Sequence, residues 1–359
     1  MGLMSWSRGI TLSSLCALSA AVYAAPPPPM EGDYVVPEFH FESGETLKNL
    51  RLHYTTYGSP RRDAAGHVDN AVLIMHGTGG SGQQFVSDKF AGVLFGPGQL
   101  LDAGRYYIIL PDDIGHGKSS KPSDGLRMSF PHYDYQDMVM AEHLLLTDGL
   151  KVDHLRLVMG TSMGCMHSWM WMEEYPDFMD AGMPLACLTV EIAGRNRMWR
   201  KMAMDAITTD PGFDDGNYTR EPHGLDSALY ILALMGTAPL EMQTDYPTRA
   251  AADADLADWM QQRRPKYDAD DFLYQLDSSR DYDPSAKLDA IQVPVMHVNS
   301  ADDMINPPEL GIAGQEIRKV KRGRFVLLPI TPETRGHGTH TLPAIWKGYL
   351  AELLAESGG

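Results

Sequence analysis

Residues 155–174 constrain the fold of this chain more than any other segment. Residues 155–159 have the apolar content of a buried strand, and Met163–Glu174 has the length and apolar content of a helix. Between them stands the G-x-S-x-G sequence of residues 160–164, with Ser162 at its centre. A serine between strand and helix sits in a tight, strained turn, and the flanking glycines remove Cβ atoms that would clash there. The segment predicts a nucleophilic Ser162 at the carboxyl edge of a sheet; the alternative is an ordinary helix N-cap.

The same alternation of strand and helix continues along much of the chain. Short apolar strands separated by helical stretches are typical of βαβ units and a parallel sheet. Two antiparallel strands, at residues 34–41 and 47–56, precede them. The predicted parallel strands are 71–75, 107–110, 155–159, 183–188, 293–299 and 325–328, and the clearest helices are 133–147 and 163–174. We therefore predict an α/β protein with a mostly parallel central sheet flanked by helices.

The strand pattern stops between residues 190 and 290. This segment is rich in Met, Arg, Asp and helix formers, and Pro211, Pro239 and Pro247 interrupt it. We expect an inserted helical cap over the sheet, so that residues 34–189 and 291–359 form the two parts of one core. A chain of 359 residues is long enough for one large domain with such an insertion.

The N-terminus has the features of an export signal. Arg8 is followed by a mostly apolar stretch at 10–22 and by small residues at Ala24 and Ala25, before four prolines at 26–29. The stretch is shorter than the ~20 residues that span a bilayer. We expect a signal peptide over residues 1–24, a proline-rich linker over 25–33, and a secreted or periplasmic protein with no membrane insertion after cleavage. The alternative, a buried first helix, would have to end in the four prolines.

The charge of the chain argues against one class of partner. Loss of residues 1–24 removes Arg8 as the only charged side chain, which changes the formal net charge from −17 to −18. A protein that follows nucleic-acid phosphates needs the opposite sign. We predict no nucleic-acid partner.

Two cysteines, Cys165 and Cys187, lie outside the predicted signal peptide. They could pair in an oxidising compartment, but the sequence does not supply the Cα separation that a disulfide needs. Two separate buried thiols are the favoured expectation. Because no Cys or His spacing resembles a zinc site, we predict no metal.

A serine nucleophile needs a base and a carboxylate that orients the base. With the serine on a turn of this type, the chain order is Ser, acid, His. Six histidines come too early for that order and are expected to be loop or core residues: His76, His116, His143, His154, His167 and His297. Only His337 and His340 follow a suitable acid. Gly336 and Gly338 flank His337 and give its loop freedom, which favours His337 as the base and leaves His340 as the alternative.

The acid is expected directly after the predicted strand 293–299. Asp302 and Asp303 both fit on spacing, and the one that is not the acid is expected to form an Asx-turn. Asp112 and Asp113 follow an earlier strand and come too early in the chain. We expect them to shape a loop beside the pocket.

The glycine-rich segment of residues 76–82 follows the first predicted parallel strand. Its turn can direct the backbone N–H of Thr78 towards a developing oxyanion, and the N–H of Met163, next to the nucleophile, is the second expected donor. The segment has no lysine at P-loop spacing and no G-x-G-x-x-G with a downstream acid. We therefore predict an oxyanion hole and no cofactor.

Several stretches together resemble one enzyme superfamily. They are the elbow at residues 160–166 with Trp169 and Tyr175-Pro176-Asp177, the segment 195–218, the acid motif 303–309 and Gly336-His337. They resemble the α/β-hydrolase superfamily, and within it the homoserine O-acetyltransferase group. The resemblance implies a triad of Ser162, Asp303 and His337, with the acid at Asp303 rather than Asp302, and it is compatible with a homodimer formed through the cap.

The chain departs from that group at two places beside the nucleophile. The group carries a bulkier residue where Gly77 stands, and an acidic residue and an aromatic after the histidine, where Gly338-Thr339-His340 follow here. We expect these differences to affect which molecule accepts the acyl group. The resemblance in fold and triad is unchanged by them.

Hydrolases and acyltransferases share an acyl-enzyme and differ in whether water or an alcohol accepts the acyl group. An exported protein meets little acetyl-CoA, whereas water is always present. We therefore predict a serine hydrolase of a small ester or amide, with an apolar pocket bounded by the cap and by methionines such as Met163 and Met166. A homoserine O-acetyltransferase-like acyltransferase is the alternative. A binding module without catalysis would be expected to lack one catalytic element.

Overall fold

A computed structural model describes residues 25–358 as a central eight-stranded sheet with helices around it. The predicted signal peptide, residues 1–24, lies outside the described residues. The strands are β1 (Met30–His40), β2 (Thr46–Tyr57), β3 (Ala71–Met75), β4 (Tyr107–Pro111), β5 (Leu157–Thr161), β6 (Gly182–Leu185), β7 (Val295–Ser300) and β8 (Gly323–Leu328). The helices are α1 (Ala91–Leu94), α2 (Tyr135–Leu144), α3 (Met163–Glu174), α4 (Gly194–Thr208), α5 (His223–Gly236), α6 (Pro239–Asp245), α7 (Arg249–Arg263), α8 (Ala269–Asp277), α9 (Ile312–Glu316) and α10 (Pro343–Ser357).

The sheet order is β1-β2-β4-β3-β5-β6-β7-β8. The pairs β1–β2 and β2–β4 are antiparallel, and all other pairs are parallel. Every residue of β3 through β7 is buried, as expected for parallel strands covered on both faces. The predicted α/β fold with a mostly parallel sheet is confirmed.

The topology determines where a site can form. The chain runs from β3 outwards to β4 and then returns to place β5 on the other side of β3. The loops that follow β3 and β5 therefore leave the same edge of the sheet in opposite directions. This change of direction opens a crevice at the carboxyl ends of the strands, where open α/β sheets bind ligands.

The strand and helix boundaries differ from the predicted ones for local reasons. Ala71–Met75 and Met163–Glu174 are as predicted. Strand β5 begins at Leu157, because Leu155 forms only an isolated bridge with Met179. Strand β6 stops at Leu185, because the next residue, Ala186, takes a φ of 65° that a strand does not permit.

Residues 190–290 contain the five helices α4 to α8, and all of these residues are described. Helices α4, α5 and α8 share a hydrophobic cluster that is separate from the clusters on the two faces of the sheet, and α7 packs against it through Trp259 and Met260. Trp199 and Tyr218 are buried in this cluster, so they contribute to the packing of the segment.

Cys165 and Cys187 form a disulfide, with their Cα atoms 5.8 Å apart. The expectation of two separate thiols is therefore wrong. Strands β5 and β6 are parallel neighbours, so the first turn of α3 lies beside the residues that follow β6. That proximity arises from strand pairing and could not be read from the sequence.

Loss of this disulfide is expected to destabilise the protein without unfolding it. The bond closes a loop of sequence separation 22, and a loop of that size contributes ~3 kcal/mol to the free energy of unfolding. We expect the Cys165→Ala/Cys187→Ala variant and the reduced wild type to unfold at lower urea concentration than the oxidised wild type, by similar amounts. Equal unfolding midpoints for oxidised and reduced wild type would contradict the contribution of this bond.

Candidate active site

Ser162 lies in a strained turn between β5 and α3. Its φ of 56° and ψ of −109° fall in a region that L-residues rarely adopt. Close packing requires the flanking glycines: a Cβ at Gly160 would lie 2.1 Å from the Gly164 carbonyl oxygen, and a Cβ at Gly164 would lie 2.2 Å from the Met75 carbonyl oxygen. The Ser162 N–H donates to the Leu185 carbonyl at 2.9 Å, which fixes the turn to β6.

A hydrogen-bonded line joins Ser162 to a buried carboxylate. His337 Nε2 lies 2.8 Å from Ser162 Oγ, and His337 Nδ1 lies 2.9 Å from Asp303 Oδ2. Because an ionised carboxylate only accepts hydrogen bonds, Nδ1 carries the proton and Nε2 is free to accept the serine proton. The structure thus brings together the three residues for which the sequence predicts a triad.

The environment of Asp303 keeps it ionised. Burial acts to raise the pKa of this side chain, which is 1% exposed, but its neighbours outweigh burial and the pKa lies below its usual value. His337 faces one oxygen, and the N–H groups of Ile305 and Asn306 donate to the other at 2.8 and 3.0 Å. The carboxylate can therefore hold His337 in one tautomer and stabilise its protonated form.

Asp302 forms hydrogen bonds with the loop that carries His337 and not with the imidazole itself. Its Oδ2 accepts hydrogen bonds from the Thr334 hydroxyl at 2.9 Å and from the Gly336 N–H at 3.1 Å, and the Ser300 hydroxyl donates to its Oδ1. Asp302 thus ties the loop after β7 to the loop that carries His337. Of the two acids that spacing left open, Asp303 is the one on the imidazole.

His340 packs against His337 with its ring centroid 4.9 Å away, and it forms no hydrogen bond with Ser162, which pairs with His337. Burial, reinforced by the neighbouring His337, lowers the pKa of His340 to about 3. The ring is therefore neutral at ordinary pH. The Trp346 indole donates to the His340 carbonyl at 3.1 Å, which fixes this loop to α10.

The glycine-rich loop after β3 passes directly over Ser162. A Cβ at Gly77 would lie 3.2 Å from the Cβ of Ser162. Thr78 comes next in this loop, and Met163 begins α3 beside Ser162. The loop and the helix N-terminus thus meet at Ser162, as an oxyanion hole formed by the N–H groups of Thr78 and Met163 requires.

His76 positions this loop, a role that sequence reasoning missed. Its Nε2 accepts the Asp113 N–H at 3.2 Å, so its Nδ1 carries the proton and donates to the Gly77 carbonyl at 2.9 Å. Its place directly before Gly77 was the available signal. Asp112 shapes the adjoining loop as expected, because its two oxygens accept the N–H groups of Gly82 and Lys118 at 2.7 and 2.8 Å.

Arg200 was also missed, since an arginine on a cap helix suggests an exposed residue. It is fully buried, its Nε donates to Asn196 at 3.2 Å, and its guanidinium lies 4.9 Å over the Trp199 ring. It faces the Tyr135 hydroxyl, which also faces the Thr78 side chain. Arg200 is thus a buried neighbour of Tyr135 on α2, which in turn lies beside the glycine-rich loop.

Two cavities lie beside the catalytic loops. An apolar cavity of about 380 Å³ is lined by residues that include Met166, Leu188 and Ile305, and a more polar one of about 800 Å³ by residues that include Gly79 and Tyr267. Met166 therefore borders an apolar cavity, as predicted, whereas Met163 is packed in the core. Neither cavity is lined by Ser162, His337 or Asp303.

Two groups of side chains within residues 25–358 have the proximity that a metal ion needs. One comprises the disulfide-bonded Cys165 and Cys187 with His297, and its sulfurs are committed to each other. The other comprises Asp113, Glu142 and His167, and it makes no hydrogen bond with the triad. The hydrogen-bonded residues Ser162, His337 and Asp303 have the geometry for acyl transfer without a metal ion.

The chain belongs to the α/β-hydrolase-fold family, whose model matches residues 70–326. A probable acyltransferase of Methanothermobacter thermautotrophicus is 29% identical over 278 residues, which cover 77% of this chain and 84% of that protein. The homoserine O-acetyltransferase of Methanococcoides burtonii is 30% identical over 230 residues, which cover 59% of this chain and 46% of that enzyme. The predicted resemblance to this group is confirmed. The chain spans half or less of the length of this enzyme and of two further homoserine O-acetyltransferases.

A solved structure shows the same fold. The acetylester hydrolase from Corynebacterium glutamicum superposes with a TM-score of 0.78 at 20% identity, over 91% of this chain and 96% of that chain. Proteins similar to this chain thus carry the names of hydrolases and of acyltransferases.

Proposed function

We propose that this protein is an exported serine hydrolase that cleaves a small ester, or a related amide, through an acyl-enzyme intermediate. The observation that carries the proposal is the line from Ser162 through His337 to Asp303, with contacts of 2.8 and 2.9 Å. Nucleophile, base and orienting acid are each within hydrogen-bond reach of the next, which is the geometry that activates a serine hydroxyl.

The chemistry follows from these contacts. Ser162 Oγ attacks the ester carbonyl carbon while His337 Nε2 takes the hydroxyl proton. The N–H groups of Thr78 and Met163 stabilise the oxyanion, and His337 then gives the proton to the departing alcohol. Water repeats the sequence on the acyl-enzyme, with His337 again as base, and releases the carboxylic acid.

The second candidate is acyl transfer to an alcohol, which the names of the curated relatives favour. The triad serves both reactions because both pass through the same acyl-enzyme. Hydrolysis is preferred because of the predicted export, which separates the protein from acetyl-CoA. The acylated Ser162 would then meet water more often than a second substrate.

Export and assembly belong to the same proposal. No helix within residues 25–358 has the length and apolar content to cross a bilayer. Recovery from the periplasmic fraction of a protein that begins at Ala25 tests the export. Several large apolar side chains of the cap are exposed, among them Leu234, Leu240 and Met198, and they suit a cap-mediated homodimer, which the mass of the protein in solution tests.

Hydrolysis and transfer are separated by changing the acyl acceptor. We expect the mature protein to hydrolyse p-nitrophenyl acetate and butyrate, and added homoserine to leave the yield of free acetate unchanged. Acetyl-CoA with homoserine is expected to give no O-acetylhomoserine above the Ser162→Ala background. Faster acetylation of homoserine from acetyl-CoA than hydrolysis of any ester would contradict hydrolysis and establish the acyltransferase.

A further inference from the structure

A group of buried ionisable side chains lies behind the nucleophile helix. Asp113 follows β4, Glu142 lies on α2, and His167 lies on α3. They are 2%, 3% and 0% exposed, and one ligand atom from each lies within 4.8 Å of the others. Within residues 25–358, neither carboxylate forms an ion pair with a lysine or arginine. Two carboxylates in such surroundings need protons or a cation.

Five atoms of this group have no hydrogen-bond partner within the described part of the chain. They are both carboxylate oxygens of Asp113, Oε1 of Glu142 and both ring nitrogens of His167. An unsatisfied buried polar atom costs ~1–3 kcal/mol. Native proteins rarely leave such atoms unpaired, so five in one place indicate a further partner, which is a proton, a water molecule or a cation.

The distances indicate what that partner is. His167 Nδ1 lies 3.6 Å from Asp113 Oδ2 and 3.7 Å from Glu142 Oε1, which is too far for hydrogen bonds. Two ligands that each lie about 2.0–2.1 Å from one ion, at tetrahedral to trigonal angles, are about 3.3–3.6 Å apart. These two separations are therefore close to those between ligands of one ion, and the third, between Asp113 and Glu142, is at most 4.8 Å.

A proton shared between the carboxyl groups is the competing explanation. Burial raises the pKa of Asp113 to about 8 and that of Glu142 to about 7, so at least one proton would be held in the absence of a cation. This proton satisfies the carboxyl groups alone. That proton leaves both nitrogens of His167 without a partner, whereas a cation also takes up Nδ1 of His167.

The surroundings prepare the three side chains for coordination. The Trp171 indole N–H donates to Glu142 Oε2 at 2.6 Å, which leaves Oε1 directed towards His167. Such a contact fixes the orientation of a metal ligand. Burial lowers the pKa of His167, which keeps the imidazole in the neutral form that binds metals.

We propose that Asp113, Glu142 and His167 bind one divalent transition-metal ion. One imidazole with carboxylate oxygens suits Zn²⁺ or Mn²⁺, and the free second oxygen of Asp113 allows a fourth bond. The ion neutralises both carboxylates and joins α2 and α3 to the end of β4. Its role is structural, because the site is closed to solvent. It stabilises the helix that begins beside Ser162.

A buried ion enters only during folding, so the test uses refolded protein. The mature protein is unfolded in guanidinium chloride with a chelator and its disulfide intact, then refolded with Zn²⁺, with Mn²⁺ or without added metal. After gel filtration, the bound metal is counted by elemental mass spectrometry and Tm is measured by calorimetry. We expect about one ion per chain for one of the two metals, with a Tm several degrees above that of the metal-free protein. Less than a tenth of an ion per chain with both metals, at unchanged Tm, would overturn the proposal.

Variants locate the ion. The His167→Gln variant is expected to retain less than a tenth of the metal bound by the wild type. The His143→Gln variant is the matched control, because His143 lies on α2 next to Glu142 and stacks on Tyr175 instead, and it should retain the full amount. Equal metal in His167→Gln and wild type would place the ion elsewhere. X-ray absorption of the loaded wild type should show nitrogen and oxygen ligands, and sulfur ligation would also overturn the assignment.

Discussion

Replacement of Ser162 by alanine is expected to abolish ester hydrolysis while the protein stays folded. The alanine removes the oxygen that lies 2.8 Å from His337 and forms the acyl bond. Loss of the nucleophile from such a triad lowers kcat by about 10⁴- to 10⁶-fold. Because Oγ makes this one hydrogen bond, the free energy of unfolding should change by less than about 1 kcal/mol. Hydrolysis of p-nitrophenyl acetate and urea unfolding measure the two quantities.

Ser168→Ala is the matched control for this substitution. Ser168 lies on α3, which begins directly after Ser162, is buried, and donates only to the Gly164 carbonyl at 2.8 Å. We expect this variant to hydrolyse the ester at close to the wild-type rate. Equal activity of Ser162→Ala and wild type would show that Ser162 is not the nucleophile.

The second large effect is expected for Asp303→Asn. His337 Nδ1–H donates to Asp303 Oδ2, and an amide in place of the carboxylate favours the wrong tautomer and withdraws the negative charge that stabilises protonated His337. The corresponding change in a serine-protease triad lowers kcat about 10⁴-fold, and we expect a similar loss with KM little changed. Steady-state kinetics on p-nitrophenyl acetate separate the two constants.

Asp302→Asn tests the assignment of the acid, because the two aspartates are adjacent. Asp302 acts on the loop of His337 through Thr334 and Gly336 and does not touch the imidazole. We expect a loss of about tenfold or less in kcat together with a lower unfolding temperature. A larger loss of kcat in Asp302→Asn than in Asp303→Asn would reverse the assignment.

The features that the sequence predicted depend on neighbours in the chain. The strained turn at Ser162 was predictable because the glycines at 160 and 164 exclude Cβ atoms from a single βα junction. The alternation of apolar strands and helices extends this local signal to the whole sheet. The order Ser, acid, His then limits the base to two candidates, and the flexible glycines around His337 favour one of them.

The features that the sequence did not predict depend on contacts between distant segments. Spacing could not separate Asp302 from Asp303, because only the path of the loop after β7 decides which carboxylate faces His337. The pairing of Cys165 with Cys187 depends on β5 and β6 being neighbours in the sheet. The burial of Arg200 against Tyr135 depends on how the cap lies over the glycine-rich loop, and no periodicity records it.

The most direct test of the account is covalent modification of the nucleophile. The mature protein is reacted with a fluorophosphonate, which phosphonylates activated serines, and the adduct is located by peptide mass spectrometry. We predict one adduct per chain, on Ser162, with ester hydrolysis lost in proportion to labelling and no adduct in Ser162→Ala. Hydrolysis that persists after full labelling of Ser162, or an adduct on another residue that tracks the loss of activity, would contradict the central claim.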